Sequence, residues 1–146
     1  PDADQTVTLT FNDSNRFEDR WVYLRADSDK SPFIRKGQVI YLPVAHGEGK
    51  FVTQSRQTLV DLQNNEQVVF RYVDADGHTA AGYPANPNGS VDDVAGVCDV
   101  TGRVLGLMPH PERHVLPTQH PRWTRQGLAD EGDGMQVFRN AVEYFA

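Results

Sequence analysis

Val104-Leu-Gly-Leu-Met-Pro-His-Pro-Glu-Arg113 is the stretch on which the reading of this sequence turns. Its apolar half (Val104, Leu105, Leu107, Met108) reads as a buried strand that stops at Pro109, which has no N–H to continue a sheet ladder. His110 and Glu112 follow at once. Pro109 and Pro111 fix their own φ and push Met108 and His110 toward extended geometry, so the His-x-Glu unit sits in a stiff turn. In an α/β protein the crevice beyond the carboxyl ends of the strands is where ligands bind. An imidazole with a carboxylate two residues away suits a general base and its orienter, two of the three members of a nucleophilic triad. The third member, a nucleophile, is absent from this stretch.

Two other readings compete for the same residues. Pro-His-Pro-Glu-Arg also describes a rigid strand-to-loop turn with solvated side chains. His-x-Glu also opens the zinc deaminase signature, which requires Pro-Cys-x-x-Cys downstream. The single cysteine, Cys98, lies upstream, so the zinc reading fails on ligand count. His110, His114 and His120 do not make a helical metal face either, because Pro111 interrupts the spacing. No metal site is expected.

Upstream of the motif, Asp93–Cys98 and Arg103–Met108 flank Asp99-Val-Thr-Gly102 as a β-hairpin. Cys98 within it reads as an inert, buried small hydrophobe. Thr6–Thr10 and Phe17–Ala26 read as strands that pair antiparallel across the polar turn Asn12–Asn15. The charged run Arg16, Glu18, Asp19, Arg20 reads as a solvated face. Gln38–Val44 is a strand leading to Ala45-His-Gly-Glu-Gly-Lys50. Gly47 and Gly49 lead into Phe51 and Val52 with no third glycine, which rejects a dinucleotide loop and leaves a strand-end loop bearing His46 and Glu48. Ser55–Asn65 reads as a short helix and Gln67–Val73 as a strand. Ala85-Asn-Pro-Asn-Gly-Ser90 is a long turn-rich loop with Asn88 and Ser90 as its candidate polar contacts. Residues 114–132 read as irregular. The chain closes on a helix with Met135, Phe138, Ala141, Val142 and Phe145 on one core-facing side and Asp133 as its N-cap.

Composition narrows the function classes. A chain of 146 residues, 38% hydrophobic and 23% charged, fits a single core. A net charge of −6 disfavours a nucleic-acid partner, since phosphate binding needs a basic face. No apolar run approaches the roughly 20 residues that span a bilayer, and one cysteine fits a reducing, cytoplasmic setting. The start at Pro1-Asp-Ala-Asp, without an initiator methionine, suggests part of something longer.

Arg16-Phe-Glu18, Leu42-Pro-Val-Ala-His-Gly-Glu-Gly49, Asn86-Pro-Asn-Gly-Ser90, Val94-Ala-Gly96 and Gly106-Leu-Met-Pro-His-Pro-Glu-Arg113 together resemble the glutaminase components of phosphoribosylformylglycinamidine synthases. These are class I glutamine amidotransferases of purine biosynthesis, and the resemblance runs from about Thr6 to the end. It implies an α/β, flavodoxin-like three-layer domain with a mixed sheet. In that family a cysteine on a sharp elbow attacks glutamine, a histidine is the base and a glutamate orients it. The histidine and glutamate match His110 and Glu112. His46, Gly47, Glu48, Asn88 and Ser90 would lie near the glutamine pocket or a partner interface. The resemblance also implies ammonia delivery to a synthetase partner, which uses ATP and Mg, and no cofactor in this chain.

The family's nucleophile lies in a Gly-Val-Cys-Asn-Gly type elbow ahead of anything matching this chain, and Cys98 matches a strand position instead. Residues 1–146 are therefore expected to be the C-terminal part of one amidotransferase domain. Its N-terminal half, with the cysteine and the central parallel strands, is expected as its partner, and without it an apolar face and a sheet edge stay uncovered. The alternative is an interaction module that kept the surface and lost the chemistry.

Overall fold

The structure, a computed structural model, describes residues 5–146. Its centre is a five-stranded sheet built from β2 (Glu18–Ala26), β3 (Val39–His46), β5 (Val68–Val73), β6 (Val94–Cys98) and β7 (Leu105–Leu107), in the order β3-β2-β5-β6-β7. A second, two-stranded sheet pairs β1 (Val7–Thr10) with β4 (Lys50–Thr53). Three helices complete it: α1 (Arg56–Asn64), the single turn α2 (Trp123–Gln126) and α3 (Met135–Phe145). Among the described residues none is long and apolar enough to cross a membrane.

Alternation decides which side of each strand faces inward. On β2 and β3, Val22 and Leu24 oppose Leu42 and Ile40, and all four are buried. β5 lies at the middle of the sheet and does not alternate: Val68, Val69, Phe70, Tyr72 and Val73 are all buried, as expected of a strand covered on both faces. One cover is the main core around Phe70 and Leu24. A smaller cluster joins Phe51, Val68 and Val94 to Leu59 and Leu62 of α1 and Val7 of β1. α1 starts where the sequence suggests, with the Ser55 hydroxyl accepting from the Thr58 N–H, and gives way at Asn65.

Five expectations need correction. β1 does not pair with β2; it runs antiparallel to β4, with Leu9 opposite Phe51. The connecting turn is the reason: the Asn12 N–H donates to the Gly47 carbonyl at 3.0 Å, which carries β1 toward the loop between β3 and β4. The motif strand is no buried strand either. β7 is an edge strand of three residues, paired only to β6, with Val104 66% exposed.

The charged run is not wholly solvated. Glu18 is 5% exposed, and its two oxygens accept from the Ser14 hydroxyl at 2.7 Å and the Arg20 Nε at 2.9 Å. Lastly, α3 docks through a different side than its apolar stripe. Val137 is buried while Phe138, Val142 and Phe145 are exposed. Polar ties set this rotation: the Asn140 amide donates to the Phe33 carbonyl and the Gly134 N–H to the His114 carbonyl. Asp133 is not the cap, since its carboxylate accepts from the Tyr41 N–H at 2.8 Å and Gly134 takes the cap position.

Every strand pairing in these residues is antiparallel. The resemblance assigns the parallel strands of the α/β domain to the half that carries the nucleophile.

Candidate active site

The chain leaves β7 and at once enters a turn of 3-10 helix, Pro111–His114, with His110 extended at its start (φ −99°, ψ 95°). Pro111 at the first position of that turn lacks only an N–H that would be unpaired anyway. The His110 N–H donates to the Pro43 carbonyl at 2.8 Å, which ties the motif to β3. His110 Nδ1 lies 2.8 Å from Glu112 Oε1. A carboxylate oxygen can only accept, so the proton of a neutral imidazole resides on Nδ1 and the Nε2 lone pair is free. In that state the ring can take a proton from a donor that approaches Nε2.

His46 ends β3, opposite Glu18 on β2. Its Nε2 is 2.8 Å from the amide nitrogen of Asn88, which is a donor, so Nε2 is the acceptor and Nδ1 carries the proton. Asn88 is fully buried. Its amide also donates to Asn12 Oδ1 at 2.8 Å, and its oxygen accepts from the Tyr72 hydroxyl at 3.1 Å. Asn12, equally buried, donates through its amide to the carbonyls of Arg16 and His46 and accepts from the Gly49 N–H. Ser90 closes the group by accepting from the Phe51 N–H at 3.0 Å. His46, Gly47, Asn88 and Ser90 thus belong to one buried knot that fixes the Gly47–Gly49 loop, whereas Glu48 stands exposed at its tip.

Asn12 and Tyr72 were not among the residues expected here. Asn12 reads locally as a turn residue, and nothing near Tyr72 in the sequence announces a polar partner. Gly49 has a steric role: a Cβ there would collide with the His46 ring at Nε2 and lie 2.7 Å from the Asn88 amide nitrogen. Gly49→Ala is expected to cost about 1–3 kcal/mol, because neither neighbour can turn aside without losing its hydrogen bonds. A melting temperature unchanged from the parent would refute this.

Burial lowers the pKa of His46 from its ordinary 6.5; the Asn88 hydrogen bond opposes the shift, nearby His110 adds to it and Glu18 opposes it. His120 is lowered by burial first, then by His114 and Arg122. In both cases the unfolded chain binds protons at a pH where the folded chain does not. Their contribution to stability is complete above about pH 6.5 and is lost as pH falls through the lower folded-state values. Thermal unfolding should accordingly show a plateau above about pH 7 and a decline toward about pH 5. A melting temperature that rises as the pH is lowered over that interval would contradict the assignment.

Cys98 is 5% exposed, and burial raises its thiol pKa. Only the thiolate is nucleophilic, so Cys98 is suited to packing. Iodoacetamide at neutral pH is expected to label it slowly in the folded chain and quickly in denaturant; equal rates would place it in an accessible site.

The chain, with its histidine bonded to a glutamate at a strand end, belongs to the CobB/CobQ-like glutamine amidotransferase domain family, whose profile matches residues 1–145. It is 46% identical over 141 residues to the phosphoribosylformylglycinamidine synthase subunit PurQ of Dehalococcoides mccartyi, covering 96% of this chain and 53% of that protein. It is 47% identical over 143 residues to the subunit of the same name from Archaeoglobus fulgidus, covering 94% and 51%. Its fold matches a chain in the structure of PurLQS from Thermotoga maritima with a TM-score of 0.70 at 32% identity, covering 97% of this chain and 54% of that one. The chain spans about half the length of the curated relatives it matches.

Proposed function

We propose that this chain supplies the base and its orienting carboxylate to the glutaminase reaction of a phosphoribosylformylglycinamidine synthase. The observation that carries the reading is the 2.8 Å contact between His110 Nδ1 and Glu112 Oε1, made at a strand end in a chain whose relatives are named PurQ. A cysteine on a segment outside these residues is the nucleophile; relatives about twice as long as this chain support that placement. His110 Nε2 takes the thiol proton as sulfur attacks the glutamine carboxamide carbon, and returns it to nitrogen as the C–N bond breaks and ammonia leaves. Water then attacks the thioester with His110 again as base, releasing glutamate and the thiol. Glu112 holds the imidazole in the tautomer that both steps need and stabilises the imidazolium.

The ammonia passes to a synthetase partner, and the designation PurLQS of the solved relative supports such an assembly. ATP and Mg belong to that partner, this chain holds no cofactor, and the reaction runs in the cytoplasm. Glu48, exposed at the tip of the loop fixed by Asn12 and Asn88, is the residue of this loop positioned to meet glutamine or the partner. The test is glutamate release from glutamine by two proteins, residues 1–146 alone and the same residues joined to a relative's N-terminal half. The fused protein should turn over and the isolated chain should not. Turnover by residues 1–146 alone, or by neither protein when the fusion is folded, would overturn the reading.

A further inference from the structure

The residues that follow His110 and Glu112 close a cavity against β2 and β3. It has a volume of about 490 Å³, lies between α2 and the β2–β3 strands, and is lined by Tyr23, Tyr41, His114, His120 and Trp123 among others. That volume falls within the roughly 300–1,000 Å³ of small-molecule sites. Part of its wall is aromatic. Tyr23 and Tyr41 stack with centroids 4.2 Å apart, and Trp21 lies edge-on behind both imidazoles, 4.8 Å from His114 and 4.4 Å from His120.

The two imidazoles are buried, 7% and 4% exposed, and their tautomers are fixed in opposite senses. His114 Nδ1 is 2.8 Å from the Tyr41 carbonyl, which can only accept; the proton is therefore on Nδ1 and Nε2 is a bare acceptor. His120 Nδ1 accepts from the Arg122 N–H at 3.1 Å, so its proton is on Nε2, a donor. Among the described residues neither Nε2 has a protein partner. The ring centroids are 6.0 Å apart, so one donor ring and one acceptor ring line the same cavity as near neighbours.

The acidic residues on the rim do not call for a cation. Asp133 already accepts from the Tyr41 N–H, and Glu131 is paired with Arg139. Burial lowers the pKa of His120 and so favours the neutral ring of the donor–acceptor pattern.

We propose that this cavity binds a flat heteroaromatic ring whose edge carries a carbonyl oxygen next to an N–H, a cyclic amide such as the hypoxanthine base of a nucleoside. One face of the ring packs against the aromatic lining, His120 Nε2–H donates to the carbonyl oxygen, and His114 Nε2 accepts from the ring N–H. No step of the glutamine reaction involves this site, so its test needs neither glutamine nor the nucleophile.

The test is titration calorimetry of the intact protein that carries this chain, with inosine and with 1-methylinosine, whose ring N–H is replaced by a methyl group. Inosine should bind saturably and 1-methylinosine at least about tenfold more weakly, the loss expected when one buried hydrogen bond cannot form. His114→Phe, which keeps a ring and removes the acceptor, should weaken inosine by a similar factor. The comparison of ligands on the unmodified protein stands even if that variant folds poorly. Equal affinity for both nucleosides would show recognition by ring faces alone and overturn the edge assignment; absence of binding by either would overturn the site.

Discussion

On the proposed mechanism, glutamine hydrolysis by the fused protein is expected to fall by about 10²–10⁴-fold on His110→Ala, the range that a positioned acid–base group contributes. The loss should lie in kcat and persist at saturating glutamine, because a proton carrier acts in the transition state and adds little to substrate binding. Glu112→Gln separates the two roles. Its amide NH2 can donate to Nδ1, which moves the imidazole proton to Nε2 and puts a donor where a base is required. Its activity should be as low as that of His110→Ala, and the double variant should be hardly worse than either. Retention of most activity by His110→Ala would remove the His–Glu pair from the mechanism.

The largest effect on stability is expected at Asn88. Asn88→Ala strips the hydrogen-bond partner from the Tyr72 hydroxyl, from His46 Nε2 and from one lone pair of Asn12 Oδ1, in a place closed to water. A buried polar group without a partner costs about 1–3 kcal/mol, so a loss of about 3 kcal/mol or more is expected in urea titration. Adding Asn12→Ala should cost much less than it does alone, since both residues act in one network. A loss under about 1 kcal/mol would mean that the knot is replaceable by packing.

The first helix and every strand except β4 were legible because their signals are local. The β-branched run Val68–Val73, the apolar run Val39–Val44 and the i, i+3 spacing of Leu59 and Leu62 each act within a few residues. The His110–Glu112 pair was legible for the same reason, with two prolines holding two residues of spacing. What escaped is set by distant partners. Glu18 reads as a surface charge until β2 is laid against its neighbours and Ser14 and Arg20 close over it. Asn12 reads as a turn residue until loops from the middle of the chain arrive. The periodicity of α3 tells which of its sides is apolar, but the docking side was chosen by Asn140 and Gly134, whose partners Phe33 and His114 lie elsewhere in the sequence. The residues were all visible; their register was not.

The buried amide knot bears on the order in which the molecule assembles. It joins Asn12 to His46 across 34 residues, His46 to Asn88 across 42 and Asn12 to Asn88 across 76. The β2–β3 hairpin brings near neighbours together and closes a short loop, whereas the knot must wait for three distant segments to meet. Contacts of that kind are expected to form after the rate-limiting barrier has been crossed. The knot therefore acts as a latch on the finished fold: cutting it at Asn88 should leave the speed of folding nearly unchanged and hasten escape from the native state.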